Sequence, residues 1–143
     1  MKFENYMILD FPSKSSNEAF ARSAVACFAA QLDPTLEELG DIKTAVSEAV
    51  TNCIVHAYPD ELGVITLRCR ILKDHTLDIV VRDRGVGIED IEMARKPMFT
   101  TGGAERSGMG ITIMESFMTG FTITSQPGKG TTVHMCRKIR RRQ

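Results

Sequence analysis

Two pairs of strand-like runs, residues 63–72 with 76–83 and 120–126 with 131–137, constrain the fold of this chain more than any other feature. Only Lys73-Asp74-His75 separates the first pair, and a turn at Gly128-Lys129-Gly130 runs into the last strand. Connections this short join antiparallel neighbours, because a parallel pair needs a crossover of a dozen residues or more. A further alternating run at residues 5–11 ends at Pro12 and supplies a fifth strand. Helical stretches fill the rest. Ser15-Ser16-Asn17-Glu18 offers an N-cap ahead of an acidic residue, and the helix it opens runs through Phe20, Val25 and Phe28 to Asp33-Pro34. Thr35-Leu36-Glu37-Glu38 has capping-box spacing for a second helix that ends near Tyr58-Pro59. Residues 84–108 are rich in Gly, Thr and charge, with one short helix at Ile88 to Arg95 and then a loop, and a third helix spans Met109 to Met118. The expected fold is an α/β (α+β) two-layer sandwich: a mixed, largely antiparallel sheet with helices on one face. Residues 1–143 form a single domain with a solvated basic tail at 137–143.

Bulk properties exclude several classes of function. With 18 basic and 18 acidic residues the chain is formally neutral, which argues against direct nucleic-acid binding. No apolar run approaches 18 residues and the start lacks signal-peptide character, so neither a membrane span nor secretion is expected. Cys27, Cys53, Cys69 and Cys136 show no C-x-x-C spacing and sit among apolar neighbours. They read as reduced, buried thiols of a cytoplasmic protein, small core residues rather than disulfides or metal ligands.

Four segments carry chemistry. On the second helix Glu48, Asn52 and His56 recur every four residues, so they share one face. Their neighbours Ala45, Val46, Ala49, Val50, Ile54 and Val55 mark the helix as mostly buried. Polar groups set into such a helix are either a structural hydrogen-bond pair or part of a site, since an unsatisfied one costs roughly 1–3 kcal/mol. Arg82-Asp83-Arg84-Gly85-Val86-Gly87-Ile88 ends a strand in a carboxylate followed by alternate glycines, either a plain turn or a place where backbone approaches a ligand. Arg106-Ser107-Gly108-Met109-Gly110 opens a helix with glycines beside an arginine, either a flexible helix entry or a phosphate cradle. Gly128-Lys129-Gly130-Thr131-Thr132 says only "turn" by itself.

In this order the four segments resemble the GHKL superfamily of ATP-binding domains, which includes histidine kinases, Hsp90-type chaperones, gyrase and MutL-type ATPases. Within it the chain is most similar to stand-alone serine kinases of the anti-sigma factor type, the anti-sigma F factors of spore-forming bacteria. The likeness rests on Ser47 to Asn52 with His56-Ala57-Tyr58, on Arg82 to Ile88, on Phe99-Thr100-Thr101, on Glu105 to Gly110 and on Lys129 to Val133.

The resemblance implies a Bergerat-type fold and two cofactors, ATP and Mg2+. It implies that Asn52 holds the Mg2+ ion and that Asp83 accepts a hydrogen bond from the adenine amino group. Gly85 and Gly87 would leave room beside the base, and Thr131 would add a hydroxyl there. Thr100, Thr101, Ser107, Gly108, Met109 and Gly110 would lie along the nucleotide, with Arg106 reaching the terminal phosphate. Glu48 would be the general base for a serine hydroxyl, a role typically worth ~10²–10⁴-fold. His56 has no second ligand at metal-site spacing and is expected to pack or cap the helix end. The implied partners are a sigma factor of the sigma F type, an anti-anti-sigma protein as phosphorylation substrate, and a second copy of the chain. Phe20, Val25 and Phe28 would supply a partner or dimer surface on the first helix, with Arg22 as a contact. A sigma-binding module in which ATP only sets the conformation is the alternative. One departure stands out: after Phe99-Thr100-Thr101 the family carries a stiffer, Lys-Pro-like loop, where this chain has Gly102-Gly103-Ala104 and is about one residue shorter.

Overall fold

Alternation decides the sheet. The computed structural model describes residues 3–88 and 110–141. Ile65, Leu67, Cys69 and Ile71 of β2 (Val64–Leu72) are buried, as are Leu77, Ile79 and Val81 of β3 (Thr76–Arg82). Val133 and Met135 of β5 (Gly130–Lys138) continue the same apolar face. With β1 (Phe3–Pro12) and β4 (Gly120–Gln126) the strands lie in the order β1-β2-β3-β5-β4. All four pairings are antiparallel, so the sheet is not mixed among the described residues. The reason lies in the topology. The long excursion after β3 carries the chain to the far edge, and the β4–β5 hairpin brings β5 back beside β3, antiparallel to it.

The three α-helices among the described residues cover the apolar face. The first, α1 (Ser16–Ala29), is extended by a 3₁₀ turn at Ala30–Leu32, and Asp33 stops it in the left-handed region at φ 51°. Ser15 occupies the N-cap position without making a side-chain cap; Asn17 instead donates to the Pro12 carbonyl at 3.0 Å. The second, α2 (Leu36–Asn52), opens with the expected capping box: Glu38 N–H donates to Thr35 Oγ1 at 3.0 Å and Thr35 N–H to Glu38 Oε1 at 2.8 Å. Its buried residues Ile42, Ala45, Val46, Ala49 and Val50 follow helical spacing and face the sheet. The third, α3 (Gly110–Phe117), buries Ile111 and Met114 and packs on α2. Of the short helix expected at Ile88 to Arg95, everything beyond Ile88 lies outside the described residues.

Three expectations are corrected. The basic tail is not all solvated: Arg137 lies on β5 and its Nη1 donates to Asp41 Oδ2 at 2.7 Å and to the Phe117 carbonyl at 2.6 Å. It thereby caps the C-terminal end of α3, where a cation is favoured. Ile139 is 1% exposed, and Arg140 N–H donates to Glu38 Oε2 at 3.2 Å. On α1, Val25 and Phe28 belong to the core, because the helix needs them against the sheet; only Phe20, 54% exposed, remains for a partner. The cysteines also divide: Cys53 and Cys69 are buried, Cys136 is half-buried and Cys27 is exposed on α1.

Candidate functional site

The end of α2 is not a plain α-helix. Residues Cys53–Ala57 form a π turn, closed by Tyr58 N–H donating to the Cys53 carbonyl at 3.2 Å. This wider turn no longer sets residues four apart on one line, so half-buried His56 leaves the Glu48–Asn52 ladder. The ladder itself points at the start of α3. A Cβ built on Gly110 would lie 2.9 Å from Glu48 Oε1, 3.3 Å from Asn52 Nδ2 and 3.5 Å from Asn52 Oδ1. The carboxylate, the carboxamide and the first residue of α3 thus form one cluster, with glycine where a side chain would crowd it. Thr100, Thr101, Arg106, Ser107, Gly108 and Met109 lie outside the described residues.

A second cluster gathers around Asp83, just past β3. This carboxylate is 5% exposed, and no Lys or Arg among the described residues forms an ion pair with it. Such a group needs donors. Its Oδ1 accepts Gly85 N–H at 3.0 Å and Thr131 N–H at 3.1 Å. Among the described residues its Oδ2 accepts only the Cys53 thiol, at 3.4 Å. One oxygen is therefore saturated by backbone, while the other keeps lone-pair capacity for a donor from outside. Burial pushes the Cys53 thiol well up, and the neighbouring Asp83 charge adds to the effect.

The glycines of this segment are required by the protein's own backbone. A Cβ on Gly85 would come within 2.2 Å of the Ala57 carbonyl oxygen, which accepts Val86 N–H at 3.0 Å. Gly87 has φ +80°, and a Cβ there would meet the Gln126 carbonyl oxygen at 2.3 Å. Thr131 fixes Asp83 from the strand side: Asp83 N–H donates to the Thr131 carbonyl at 2.9 Å. The Thr131 hydroxyl shares a 2.7 Å hydrogen bond with Ser125 Oγ, which also accepts Ile88 N–H at 2.8 Å.

The π turn couples the two clusters, since Asn52 precedes it, Cys53 touches Asp83 and Ala57 holds the Gly85-Val86 backbone. Sequence reasoning did not single out Cys53, Ser125 or Ala57 for this site; a thiol next to Asn52 was the one available signal. Tyr58 closes the turn. Its hydroxyl donates to the Val64 carbonyl at 2.9 Å and accepts Arg84 N–H at 2.7 Å, and burial raises its pKa. Arg22, on α1, pairs with Glu18 at 3.3 Å, and its Nη1 donates to Ser47 Oγ at 3.3 Å; Ser47 in turn donates to Glu18. This places Arg22 on the groove between α1 and α2, against Ser47, the residue before Glu48 in sequence.

Comparison with known proteins agrees with this architecture. Residues 11–137 match the family described as "Histidine kinase-like ATPase domain". The chain is 58% identical over 142 residues to the anti-sigma F factor of Caldanaerobacter subterraneus subsp. tengcongensis, covering 99% of both chains. It is 54% identical over 137 residues to that of Clostridium acetobutylicum, covering 95% of each. Among solved structures, the RsbU and RsbW domains of Rv1364c from Mycobacterium tuberculosis share the fold, with a TM-score of 0.72 at 18% identity over 97% of this chain and 34% of that one. The mycobacterial sensor histidine kinase MprB has a TM-score of 0.58 at 15% identity over 96% of this chain and 100% of that one. An antiparallel sheet covered by helices on one face, and 54–58% identity over 95–99% of named relatives, lead to one assignment: the chain belongs to the anti-sigma F factors and carries a histidine kinase-like ATPase domain.

Proposed function

We propose that this protein binds Mg-ATP between its two clusters, holds a sigma factor of the sigma F type inactive, and phosphorylates a serine of an anti-anti-sigma protein. The observation that carries the reading is the convergence of Glu48 and Asn52 on Gly110, the start of α3. A helix N-terminus offers free N–H groups and a positive dipole end to phosphate oxygens, and glycine lets them come close. The donor set fits the metal as well, because the Asn52 carboxamide is a hard oxygen ligand suited to Mg2+. Bound there, Mg2+ would neutralise charge on the phosphates during transfer.

The chain's own residues then divide the work. Asp83 Oδ2 accepts the exocyclic amine of adenine, which guanine lacks at that position, while Oδ1 stays locked by backbone. Thr131 and Ser125 supply hydroxyls beside the base. Glu48 takes the proton of the attacking serine hydroxyl as the serine oxygen bonds to the terminal phosphorus of ATP and the bond from that phosphorus to the bridging oxygen breaks, releasing ADP. Arg106, with Ser107, Gly108 and Met109, and Thr100 and Thr101 are assigned to the phosphate side on the strength of the family resemblance. Arg22, beside Ser47 on the α1–α2 groove, is placed to contact a partner protein. The protein acts as a homodimer in the cytoplasm. The face of the sheet left open by the helices, where Tyr6 is 55% and Ile8 53% exposed, supports a second copy docking there rather than on α1. A mass in solution of one chain would count against that.

The test is a labelled-ATP transfer assay with the anti-anti-sigma protein. Wild type is expected to transfer phosphate to a serine; Glu48→Gln is expected to bind ATP normally and transfer none. Undiminished transfer by Glu48→Gln would refute the general-base role. ATP binding by wild type without any transfer would favour a conformational nucleotide sensor.

A further inference from the structure

Cys53 is 4% exposed, sits at the first position of the π turn and directs its thiol at Asp83 Oδ2, 3.4 Å away. It is the one donor that reaches this oxygen among the described residues, the other two having been taken up by Oδ1. We propose that Cys53 is a positioning residue for adenine: its thiol occupies the inner side of Asp83 Oδ2 and turns the remaining lone pair of that oxygen toward an exocyclic amine. The inference rests on the reading of Asp83 as the base-binding carboxylate.

The chemistry of sulfur suits the task. A thiol is a weak donor, so it orients the carboxylate oxygen without satisfying it, and a ligand amine still gains a strong hydrogen bond. Its long C–S bond helps it reach from the helix backbone to the carboxylate on the loop. The π turn makes this possible, because it also brings the Ala57 carbonyl onto Val86 N–H and so holds the loop at the right depth.

The experiment uses the full-length chain and two nucleotides, ADP and inosine diphosphate, the second having a carbonyl in place of the amine. Their dissociation constants are measured by calorimetry for wild type, Cys53→Ala and Cys53→Ser. Cys53→Ala is expected to weaken ADP roughly three- to tenfold, the range for loss of one hydrogen bond, and to change inosine diphosphate less than twofold. The adenine preference falls by the same factor. Cys53→Ser, which keeps a donor, is expected to restore most of that preference. Equal weakening of both nucleotides by Cys53→Ala would reduce the thiol to a packing role and overturn the proposal. So would an unchanged or tighter ADP constant. Wild type that fails to prefer ADP over inosine diphosphate would instead refute the assignment of Asp83 itself, an outcome visible before any variant is made.

Discussion

Replacing Gly87 by alanine separates two explanations for the alternate glycines after Asp83. If they exist to admit a ligand, the variant should fold as well as wild type and lose only nucleotide. The structure gives a different answer. At φ +80° an L-residue is strained by roughly 1–2 kcal/mol. The added Cβ would also press on the Gln126 carbonyl at 2.3 Å and on the Pro127 Cα at 3.0 Å, both of them backbone that cannot swing aside. Relief requires the loop to lift off the β4–β5 hairpin. That movement breaks the 2.7 Å bond from Gly128 N–H to the Val86 carbonyl and the 2.8 Å bond from Ile88 N–H to Ser125 Oγ. At about 0.5–1.5 kcal/mol each, these losses bring the total to roughly 2–5 kcal/mol. Urea unfolding of the nucleotide-free protein should therefore show a lower midpoint at unchanged slope, by on the order of 1 M or more. ADP affinity should fall as well, since the same loop carries Asp83. A nucleotide-free Gly87→Ala protein within about 0.5 kcal/mol of wild type, with ADP binding lost, would refute this reasoning and return the glycine to the ligand.

Two further outcomes follow from the titrating groups. Under native conditions at pH 8 an alkylating reagent should label Cys27 quickly and leave Cys53 and Cys69 untouched. Burial, with the Asp78 charge nearby, pushes the Cys69 thiol up to about 12, leaving on the order of 10⁻⁴ of it as thiolate. Mass spectrometry of the labelled protein reads this directly, and rapid native labelling of Cys69 would contradict the packing described. At the start of α2, burial pushes the Glu38 carboxyl up, but the hydrogen bonds from Thr35 and Arg140 and the Arg137 charge together hold it below its ordinary 4.5. A depressed carboxyl stabilises the fold above its unfolded value, and that contribution is lost as the pH falls through the folded one. Wild type should therefore exceed Glu38→Gln in stability above pH 4.5, with the gap closing at lower pH in thermal unfolding. A gap that persists undiminished at low pH would remove Glu38 from the account.

What the sequence disclosed and what it withheld divide along a physical line. Periodicity and capping are local, so both hairpins and the Thr35–Glu38 capping box were legible residue by residue. The Glu48–Asn52 spacing was legible for the same reason, because four residues of helix set it. Long-range partners were not. Nothing local distinguishes Arg137 from the basic residues that follow it; it leaves solvent because Asp41 and the end of α3, far away in the chain, meet it there. Val25 and Phe28 resembled a docking surface only while the sheet that covers them was absent from the argument. The π turn is the sharpest case. An apolar stretch such as Cys53-Ile54-Val55 fits an α-helix perfectly well, and the extra residue in the turn arises from what lies across it: the Ala57 carbonyl must reach Val86 N–H while Cys53 reaches Asp83. The same demand explains Gly85, which has no room for a side chain against Ala57. Residues that looked like separate motifs, a helix end and a glycine loop, are thus two sides of one joint. Its geometry sets how far Asp83 stands from the Glu48–Asn52 pair, and that distance is what a nucleotide spanning both clusters would have to match.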